Sequence, residues 1–264
     1  MDAGQVSETA RRVAAYRQAF DRVATAYGTP DDDRRLEADV AAGVRVEATP
    51  MARYLRSRTA FFDREVTDAI DAGLTQVVAV GAGYDGRSLR YAKPGVIWFE
   101  LDHPATQADK RARLDRLAIA APAVVFAAAD FASDDVAAAL AAAGHDPERA
   151  TLLTCEGVAG YLAPEVRTRL LTALVIRAAR GSRLVVTLPI EPDTDEGRAA
   201  RSRLGSAVSG VGEPLHASLA RDAVDAVLGA AGWRVERATD PAGVAVADST
   251  RTSAFVVASL IGGA

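Results

Sequence analysis

The sequence contains a single cysteine, Cys155, and only three histidines among its 264 residues. One cysteine excludes a disulfide within the chain, and so few scattered thiol and imidazole groups exclude a thiolate-rich zinc site. We therefore expect a protein that needs no metal and that suits a reducing compartment, the cytoplasm.

Long apolar runs and an excess of positive charge are also missing. No stretch approaches the roughly 18 consecutive apolar residues of a membrane-spanning helix, and no apolar segment follows the charged residues near the start. We therefore expect neither a membrane span nor a standard secretory signal. The 31 lysines and arginines are interspersed with 35 acidic residues, so the sequence does not favour nucleic acid as a partner.

Aromatic residues make up only 6% of the chain, although 49% of it is hydrophobic. Much of the apolar content is therefore alanine, which favours helices and contributes little burial per residue. The length suits one large α/β domain with a cap, since such domains often reach about 250 residues.

The first third of the chain shows helical periodicity and no strand. Apolar residues at spacings of three and four predict an amphipathic helix over residues 8–27, ended by a Gly-Thr-Pro segment, and a second helix over residues 50–72. The charged stretch 31–35 is interpreted as part of the connection between them. We therefore expect residues 1–72 to form an N-terminal helical cap.

Beyond this cap, short apolar runs alternate with helical patterns. The predicted strands are residues 76–80, 96–99, 124–126, 151–154 and 184–188, and the predicted helices between them are residues 85–91, 104–117, 134–143 and 164–179. This alternation requires right-handed crossovers, and it predicts a doubly wound α/β fold with a mostly parallel sheet over residues 73–264.

The last part of this core departs from the alternation. Residues 189–216, rich in glycine, proline, serine and charge, are predicted to form a lid above the last parallel strand. A helix over residues 219–231 precedes two strands, 233–236 and 254–258, which no helix separates. We expect these two strands to pair antiparallel at the edge of the sheet.

A glycine-rich turn follows the first predicted strand, where Gly81, Gly83 and Gly86 lead into a helix. Glycines here let the backbone approach a ligand, and their spacing also fits a dinucleotide. Asp85 favours another cofactor, because a carboxylate in the first helical turn would repel a pyrophosphate, whereas S-adenosylmethionine has no phosphate and carries a sulfonium cation. The alternative is that Asp85 only caps the helix.

Acidic residues also end the following strands. Glu100 and Asp102 point to the same side, and Asp102 reaches a ribose better because it ends the strand. Asp130 is placed to accept from an adenine amino group while Phe131 packs against the ring, and Glu156 faces the same crevice. The alternatives are that these acids are solvated strand ends, or that Asp130 caps the next helix.

Four stretches carry a family resemblance: residues 58–63 (RTAFFD), 80–87 (VGAGYDGR), 99–104 (FELDHP) and 156–162 (EGVAGYL). Through them, the chain resembles the leucine carboxyl methyltransferase-like family of class I S-adenosylmethionine-dependent methyltransferases, which includes bacterial polyketide carboxyl O-methyltransferases. The resemblance implies a Rossmann-like fold and S-adenosylmethionine as the cofactor.

The resemblance also implies which residues bind this cofactor. They are Arg58 at its carboxylate, Gly81 and Gly83 at its methionine portion, Asp102 at the ribose, Asp130 and Phe131 at adenine, and Glu156 at the amino-acid end, with Ala82, Asp85 and His103 in the same motifs. Two positions depart from the family pattern: Gly86 stands where a threonine is common, and Ala132 where an arginine is common. The acceptor is therefore open to differ from that of the relatives.

Methyl transfer from a sulfonium is an in-line displacement that needs alignment and desolvation but no nucleophilic enzyme residue. A carboxylate acceptor is ionised at neutral pH and needs no base, whereas a phenol usually does. The candidate catalytic residues are Tyr161, which would orient the acceptor, and His216 in the predicted lid, which would serve as a base. Arg201 and Arg203 in the lid are candidates for orienting an anionic acceptor.

The expected function is therefore methylation of a carboxylate, or of a hydroxyl, on a small-molecule natural product, with a homodimer left open. Two other functions remain. An NAD-dependent oxidoreductase would use the same glycine turn, but the sequence lacks a Tyr-x-x-x-Lys pair and has lysine only at Lys93 and Lys110. A non-catalytic or repurposed S-adenosylmethionine-binding relative would be compatible with Gly86 and Ala132.

Overall fold

The structure is a computed structural model, and it describes residues 7–47, 49–209, 215–216 and 218–262. The strands are β1 (Gln76–Val80), β2 (Ile97–Asp102), β3 (Val124–Ala128), β4 (Leu152–Cys155), β5 (Arg183–Pro189), β6 (Trp233–Thr239) and β7 (Ser253–Leu260). The helices are α1 (Glu8–Arg17), α2 (Pro30–Val40), α3 (Pro50–Asp71), α4 (Arg87–Arg90), α5 (Pro104–Arg116), α6 (Val136–Ala142), α7 (Pro164–Ile176), α8 (Asp195–Ser209) and α9 (Val224–Ala230).

The seven strands form one sheet in the order β3-β2-β1-β4-β5-β7-β6. Strands β1 to β5 are parallel, and β7 pairs antiparallel with both β5 and β6. The predicted doubly wound, mostly parallel α/β fold with antiparallel C-terminal strands is therefore confirmed. The strand order reverses between β1 and β4, and ligands of such sheets bind at the carboxyl ends of the strands beside this point.

Both faces of the parallel sheet are covered. On one face, Phe62, Val66 and Ile70 of α3 pack against Val77 and Trp98. These three α3 residues recur at intervals of four, so they form one stripe of the helix, as the predicted helix over residues 50–72 requires. On the other face, residues of α6, α7 and α9 form a second core cluster with the alternate strand residues, as the period-two pleat dictates.

The N-terminal third differs from its prediction. Helix α1 ends at Arg17 rather than at residue 27, and the chain then leaves the helix and brings Arg22 to the buried carboxylate of Asp63. The charged stretch taken for a connection is the first turn of α2, where Pro30 starts the helix. Acidic side chains are favourable at this positive helix end, and proline is favoured at a first helical position, so both features indicated a helix.

The C-terminal third keeps its predicted elements with changed bounds. The predicted lid over residues 189–216 contains the helix α8, and residues 210–214 of it lie outside the described residues. The helix expected over 219–231 starts with a 3-10 turn, so α9 is shorter. Strands β6 and β7 extend beyond their predicted ends. The division into a cap and a core stays a prediction.

Candidate functional site

The turn after β1 requires glycine at two positions. Gly81 and Gly83 have φ angles of 66° and 51°, in the left-handed region that favours glycine. A Cβ atom on Gly81 would overlap the Val158 side chain, which follows β4. The amides of Gly81 and Ala82 donate to the Leu101 carbonyl at 2.7 and 3.2 Å, so the turn is fixed to β2.

Asp102, at the end of β2, lies directly beside this turn. One carboxylate oxygen accepts from the amide of Gly83, and the other accepts from the amide of His103 at 2.6 Å. His103 is the N-cap of α5, and its Nδ1 accepts from the amide of Ala105. Partial burial raises the pKa of Asp102 above its ordinary value, against the effect of the two amides.

Glu100, the other acid on β2, has different partners. Its carboxylate is buried, and it accepts from Lys110 Nζ and from the Ser88 hydroxyl, each at 2.5 Å. Lys110 also donates to the Asp85 carbonyl at 2.6 Å, so this acid holds the helix region around α4 and α5. Asp102 is therefore the strand-end acid that the structure places at the glycine turn, as preferred from the sequence.

Asp85 does not cap α4, because Gly86 occupies the N-cap position. Its carboxylate instead accepts from the Arg87 amide at 3.0 Å and from Arg87 Nη1 at 2.6 Å. Arg17 of α1 lies 3.7 Å from the same carboxylate. These guanidinium groups hold the pKa of Asp85 below its ordinary value, although burial acts in the opposite direction. Asp85 is thus an ionised residue of the turn.

Glu156, after β4, is enclosed by three guanidinium groups. Its Oε1 accepts from Arg58 Nε at 2.8 Å and from Arg17 Nη2 at 3.1 Å, and its Oε2 accepts from Arg87 Nη1 at 2.5 Å. Their charges lower the pKa of Glu156 well below its ordinary value, against the effect of burial. The structure therefore brings Arg58 and Glu156 together, as the family motifs predict.

The same ion pairs extend under the site. Arg87 Nε donates to Asp63 Oδ1 at 2.7 Å, and Arg22 Nε donates to Asp63 Oδ2 at 2.6 Å. We call this set the buried network; its members are Arg17, Arg22, Arg58, Asp63, Asp85, Arg87 and Glu156. Sequence reasoning did not assign roles to Arg17, Arg22, Asp63 or Arg87. Asp63 and Arg87 stood within the family motifs, which was the available signal.

The segment after β3 positions Asp130 and Phe131. Asp130 is not the cap of the next helix, because Asp135 caps α6 through a hydrogen bond to the Ala138 amide. The Asp130 carboxylate accepts from the Ala132 amide at 2.9 Å, and Phe131 packs against the core. Their contact with adenine stays a prediction.

Both departures from the family pattern have a structural counterpart. A Cβ atom on Gly86 would lie 2.7 Å from Asp33 Cγ, so glycine leaves room for this buried carboxylate of α2. Near Ala132, Arg169 of α7 supplies a guanidinium group: its Nη2 donates to the carbonyls of Phe131 and Ala132 at 3.1 and 2.6 Å.

A cavity of about 820 Å³ adjoins the buried network. Its wall is formed by α1, the first two turns of α3, the segment after β4, the end of β5, α8 and the β6–β7 connection. It reaches the buried network at Arg58, and Gly157, which follows Glu156, lines it too. Among the residues that the structure describes, every charged side chain on this wall is an arginine: Arg12, Arg53, Arg58, Arg201 and Arg251. We call it the arginine cavity.

The two candidate catalytic residues lie on neighbouring segments. Tyr161 lies on the wall of the arginine cavity, in a 3-10 turn after β4. His216 donates its backbone amide to the Gly160 carbonyl at 2.9 Å, but its side chain is exposed. Arg201 lies on the cavity wall and donates to the His216 carbonyl at 2.7 Å, whereas the Arg203 side chain is exposed. Catalytic roles for Tyr161 and His216 stay predictions.

The family model for leucine carboxyl methyltransferase matches residues 10–175. The chain belongs to this family. Among its curated relatives, a protein of Mycobacterium avium (strain 104) named for S-adenosyl-L-methionine-dependent methyltransferase activity is 38% identical over 167 residues, which cover 63% of this chain and 53% of the relative. A relative with the same name from Mycobacterium sp. (strain KMS) is 37% identical over 182 residues, 67% of this chain and 57% of its own. The chain thus spans about half the length of these relatives.

Solved structures support the fold of this family member. A DUF574 family protein from Streptomyces avermitilis superposes with a TM-score of 0.62 at 15% identity, covering 98% of this chain and 99% of its own. Magnesium protoporphyrin IX methyltransferase from Synechocystis PCC 6803, solved with bound SAH (S-adenosylhomocysteine), has a TM-score of 0.54 at 15% identity, over 88% of this chain and 94% of its own. At this identity, the likeness shows the class I methyltransferase fold.

A membrane span needs a long apolar helix and a metal site needs several ligands close together; residues 7–47, 49–209, 215–216 and 218–262 bear on both. Within those ranges, none of the helices combines the length and the apolar character that a transmembrane segment requires. The same ranges contain no group of three or more histidine, cysteine or acidic side chains arranged to hold a metal ion.

Proposed function

We propose that this family member is an S-adenosylmethionine-dependent methyltransferase that methylates a carboxylate, or alternatively a hydroxyl, on a small-molecule natural product in the cytoplasm. The names of the relatives and the SAH-bound fold neighbour support the cofactor. The observation that carries the choice of a carboxylate is the arginine cavity, where an acidic acceptor would find the opposite charge.

The residues around the glycine turn fit this cofactor. The Asp102 carboxylate accepts from two backbone amides and suits a cationic cofactor, whereas Asp85 and Glu156 are paired with guanidinium groups of the buried network. Arg58 uses Nε for Glu156, and a Cβ atom on Gly157 would lie 2.7 Å from its Nη1. Glycine therefore leaves space for this guanidinium beside the cavity, where it would bind the cofactor carboxylate. When bound, S-adenosylmethionine supplies an electrophilic methyl group.

The other predicted contacts follow from the strand ends. Asp102, already held by two amides, would accept from the ribose hydroxyls, and Asp130 with Phe131 would hold adenine. The buried network would keep Glu156 ionised and oriented, so that no charge has to be reorganised when the cofactor enters.

A carboxylate acceptor agrees with the acid–base groups near the arginine cavity. An ionised carboxylate attacks without losing a proton, so the residues need only align it and exclude water. A hydroxyl acceptor would need a base, and the His216 side chain is exposed. Tyr161, on the cavity wall, would orient the acceptor by a hydrogen bond.

The rival functions find less support. The sequence lacks the Tyr-x-x-x-Lys pair of an NAD-dependent oxidoreductase, and the relatives carry the name of a methyltransferase. At the two positions that kept a non-catalytic relative open, Asp33 fills the space beside Gly86, and Arg169 donates to the Ala132 carbonyl.

The test combines binding and product analysis. We expect calorimetric titration to show binding of S-adenosylhomocysteine and no binding of NADH. With S-adenosylmethionine and a panel of carboxylic acids with matched phenols, mass spectrometry should detect methyl products that alkali hydrolyses, as it does esters. Ethers from phenols alone would replace the carboxylate with a hydroxyl acceptor. Absence of S-adenosylhomocysteine binding at millimolar concentration would overturn the proposal.

A further inference from the structure

We propose that the acceptor is at least dianionic: besides the oxygen acid that is methylated, it carries a second anionic group that Arg53 binds at the wall of the arginine cavity. This inference rests on the proposed function and deepens it. It makes Arg53 a specificity-determining residue and gives the acceptor a carboxylate, an apolar body and a second carboxylate or a phosphate.

The wall of the arginine cavity carries positively charged side chains. Five arginines line it, and the described part of the chain contributes no acidic side chain there. Arg58 is paired with Glu156, Arg12 has Glu8 at 3.8 Å and Arg251 has Asp240 at 3.5 Å. Guanidinium groups around one concave surface repel each other and raise the local potential, and an anionic ligand reverses both effects. These acids offset three of the five charges, and within the described residues Arg53 and Arg201 form no ion pair, so a second anionic group would find an unpaired guanidinium in the same cavity.

Arg53 differs from the paired arginines of this wall. Its guanidinium has no hydrogen bond and no ion pair within the described ranges, although it lies on the wall of the cavity. Arg201, also on the cavity wall, donates to a backbone carbonyl and lies within electrostatic range of Glu191, so Arg53 is the less compensated of the two. Arginine offers several donors in a planar fork that matches carboxylate and phosphate oxygens, so Arg53 is free to bind such a group.

The first two turns of α3 supply a large part of the cavity wall. The lining residues of this helix are Pro50, Met51, Arg53, Tyr54, Leu55, Ser57 and Arg58. Arg53 and Arg58 are five residues apart, so they lie roughly 7.5 Å apart along the helix axis, at 1.5 Å per residue. Arg58 is buried and pairs with Glu156, whereas Arg53 is exposed, so the second anionic group would bind more than one turn of α3 away from the buried network.

The rest of the cavity wall is largely apolar. Tyr54 and Leu55 of α3, Tyr161 after β4 and Leu188 of β5 line it. A cavity of about 820 Å³ lies within the range of about 300–1,000 Å³ typical of small-molecule sites. The wall thus suits a ligand with an apolar or aromatic body between two acidic groups.

The experiment compares acids that differ only in the second group. Monocarboxylic acids, the matched dicarboxylic acids and the matched acids with a terminal phosphate are tested with the whole chain, S-adenosylmethionine and product detection by mass spectrometry. We expect kcat/KM for the best diacid or phosphate to exceed that of its monoacid about tenfold or more, the scale of one charge-assisted hydrogen-bonded contact. Which of the two is preferred distinguishes a carboxylate from a phosphate.

Arg53→Ala should remove this preference by raising KM for the doubly charged acid, with kcat and the monoacid reaction little changed, and Arg53→Lys should restore part of it. Arg64→Ala is the matched control, because Arg64 is also exposed on α3 and has no charged partner in the described residues, but does not line the cavity. Equal kcat/KM for both acid classes, or equal effects of the Arg53 and Arg64 variants, would overturn the inference.

The design separates this inference from the proposed function. Formation of esters without a diacid preference contradicts only the inference. If no acid is methylated, the proposed function fails, and the inference is decided by calorimetry of the same acids with the S-adenosylhomocysteine complex. There, stronger binding of the doubly charged acid that Arg53→Ala abolishes supports it, and equal binding overturns it.

Discussion

The two halves of the candidate site treat charge in opposite ways. Around the glycine turn, Asp63, Asp85 and Glu156 are each paired with guanidinium groups in the buried network, whose charges are satisfied within the protein. In the arginine cavity, Arg53 has no such partner among the described residues. The first half is therefore preorganised before any ligand binds, whereas the second gains its complementary charge only from a ligand.

The largest expected effect is on the free energy of unfolding and comes from substitution of Arg87. Its guanidinium contacts Asp63, Asp85 and Glu156, so Arg87→Ala leaves three buried carboxylates with fewer partners. Removal of one partner from a buried ion pair costs about 3–5 kcal/mol because the remaining charge is desolvated and uncompensated. We expect the free energy of unfolding, measured by urea denaturation, to fall by about this amount.

Arg53→Ala is the control for this prediction, because an exposed arginine without a partner contributes within about 0.5 kcal/mol. The pH dependence sharpens the contrast. Ion pairs with Arg87 and Arg22 lower the pKa of Asp63 to about 2, below its ordinary 3.8. The stability from this shift is complete above the unfolded pKa and is lost as the pH falls through about 4 to 2, so Arg87→Ala should flatten that decline. Equal unfolding free energies for the two variants would contradict the contrast.

The second largest effect concerns ligand binding at Asp102. Its carboxylate is positioned by two backbone amides, and we expect it to accept from the cofactor ribose. Asp102→Ala should weaken S-adenosylhomocysteine binding by about 1.5–3 kcal/mol, the scale of hydrogen bonds to a charged group. Calorimetry measures this, with Asp115→Ala as an exposed control on α5. Unchanged affinity would mean that the ribose is held elsewhere.

The sequence predicted the part of the molecule that rests on local patterns. Short buried runs identified β1 to β5, and the motifs placed Asp102 and Glu156 at strand ends, because strand burial and turn chemistry are local properties. Partners such as Arg17 and Glu156, 139 residues apart, have no periodic signature and become neighbours only after folding. The arginine cavity is likewise assembled from separate segments, and of its residues the sequence had singled out Arg58, Tyr161 and Arg201 for a ligand.

The N-terminal helices show why the remaining boundaries failed. The apolar spacing up to residue 27 continues the pattern of α1, but the chain after Arg17 is turned to deliver Arg22 to Asp63. This tertiary ion pair overrides a local helical preference. In α2, the density of charge hid a helix whose Leu36 and Val40 are buried.

A smaller effect tests how the N-terminal helices fit against the glycine turn. A side chain at Gly86 would overlap the buried carboxylate of Asp33, which pairs with Arg90. Gly86→Thr, which introduces the residue common in the family, should lower the free energy of unfolding by about 1–3 kcal/mol through overpacking. Urea denaturation measures the loss.

Gly205→Thr is the matched control, because among the described residues a Cβ atom there has no neighbour within 4 Å. In a double-mutant cycle, Asp33→Ala should relieve the overlap, so that the combined loss is smaller than the sum of the single losses. Additive losses would show that Gly86 and Asp33 do not compete for the same space.

The smallest effect should come from Arg169, which lies at the edge of the cofactor half. Its Nη2 donates to two carbonyls of the segment that follows Asp130. Arg169→Ala should therefore loosen this segment and weaken binding of S-adenosylhomocysteine and of adenosine by about 1 kcal/mol, roughly fivefold, without changing the affinity for methionine. Calorimetry with these three ligands measures the difference, and Arg180→Ala, an exposed arginine beyond α7, is the control. A loss that is equal for methionine and adenosine would assign Arg169 to general stability rather than to the adenine side, and the preorganisation of the cofactor half would then end at the buried network.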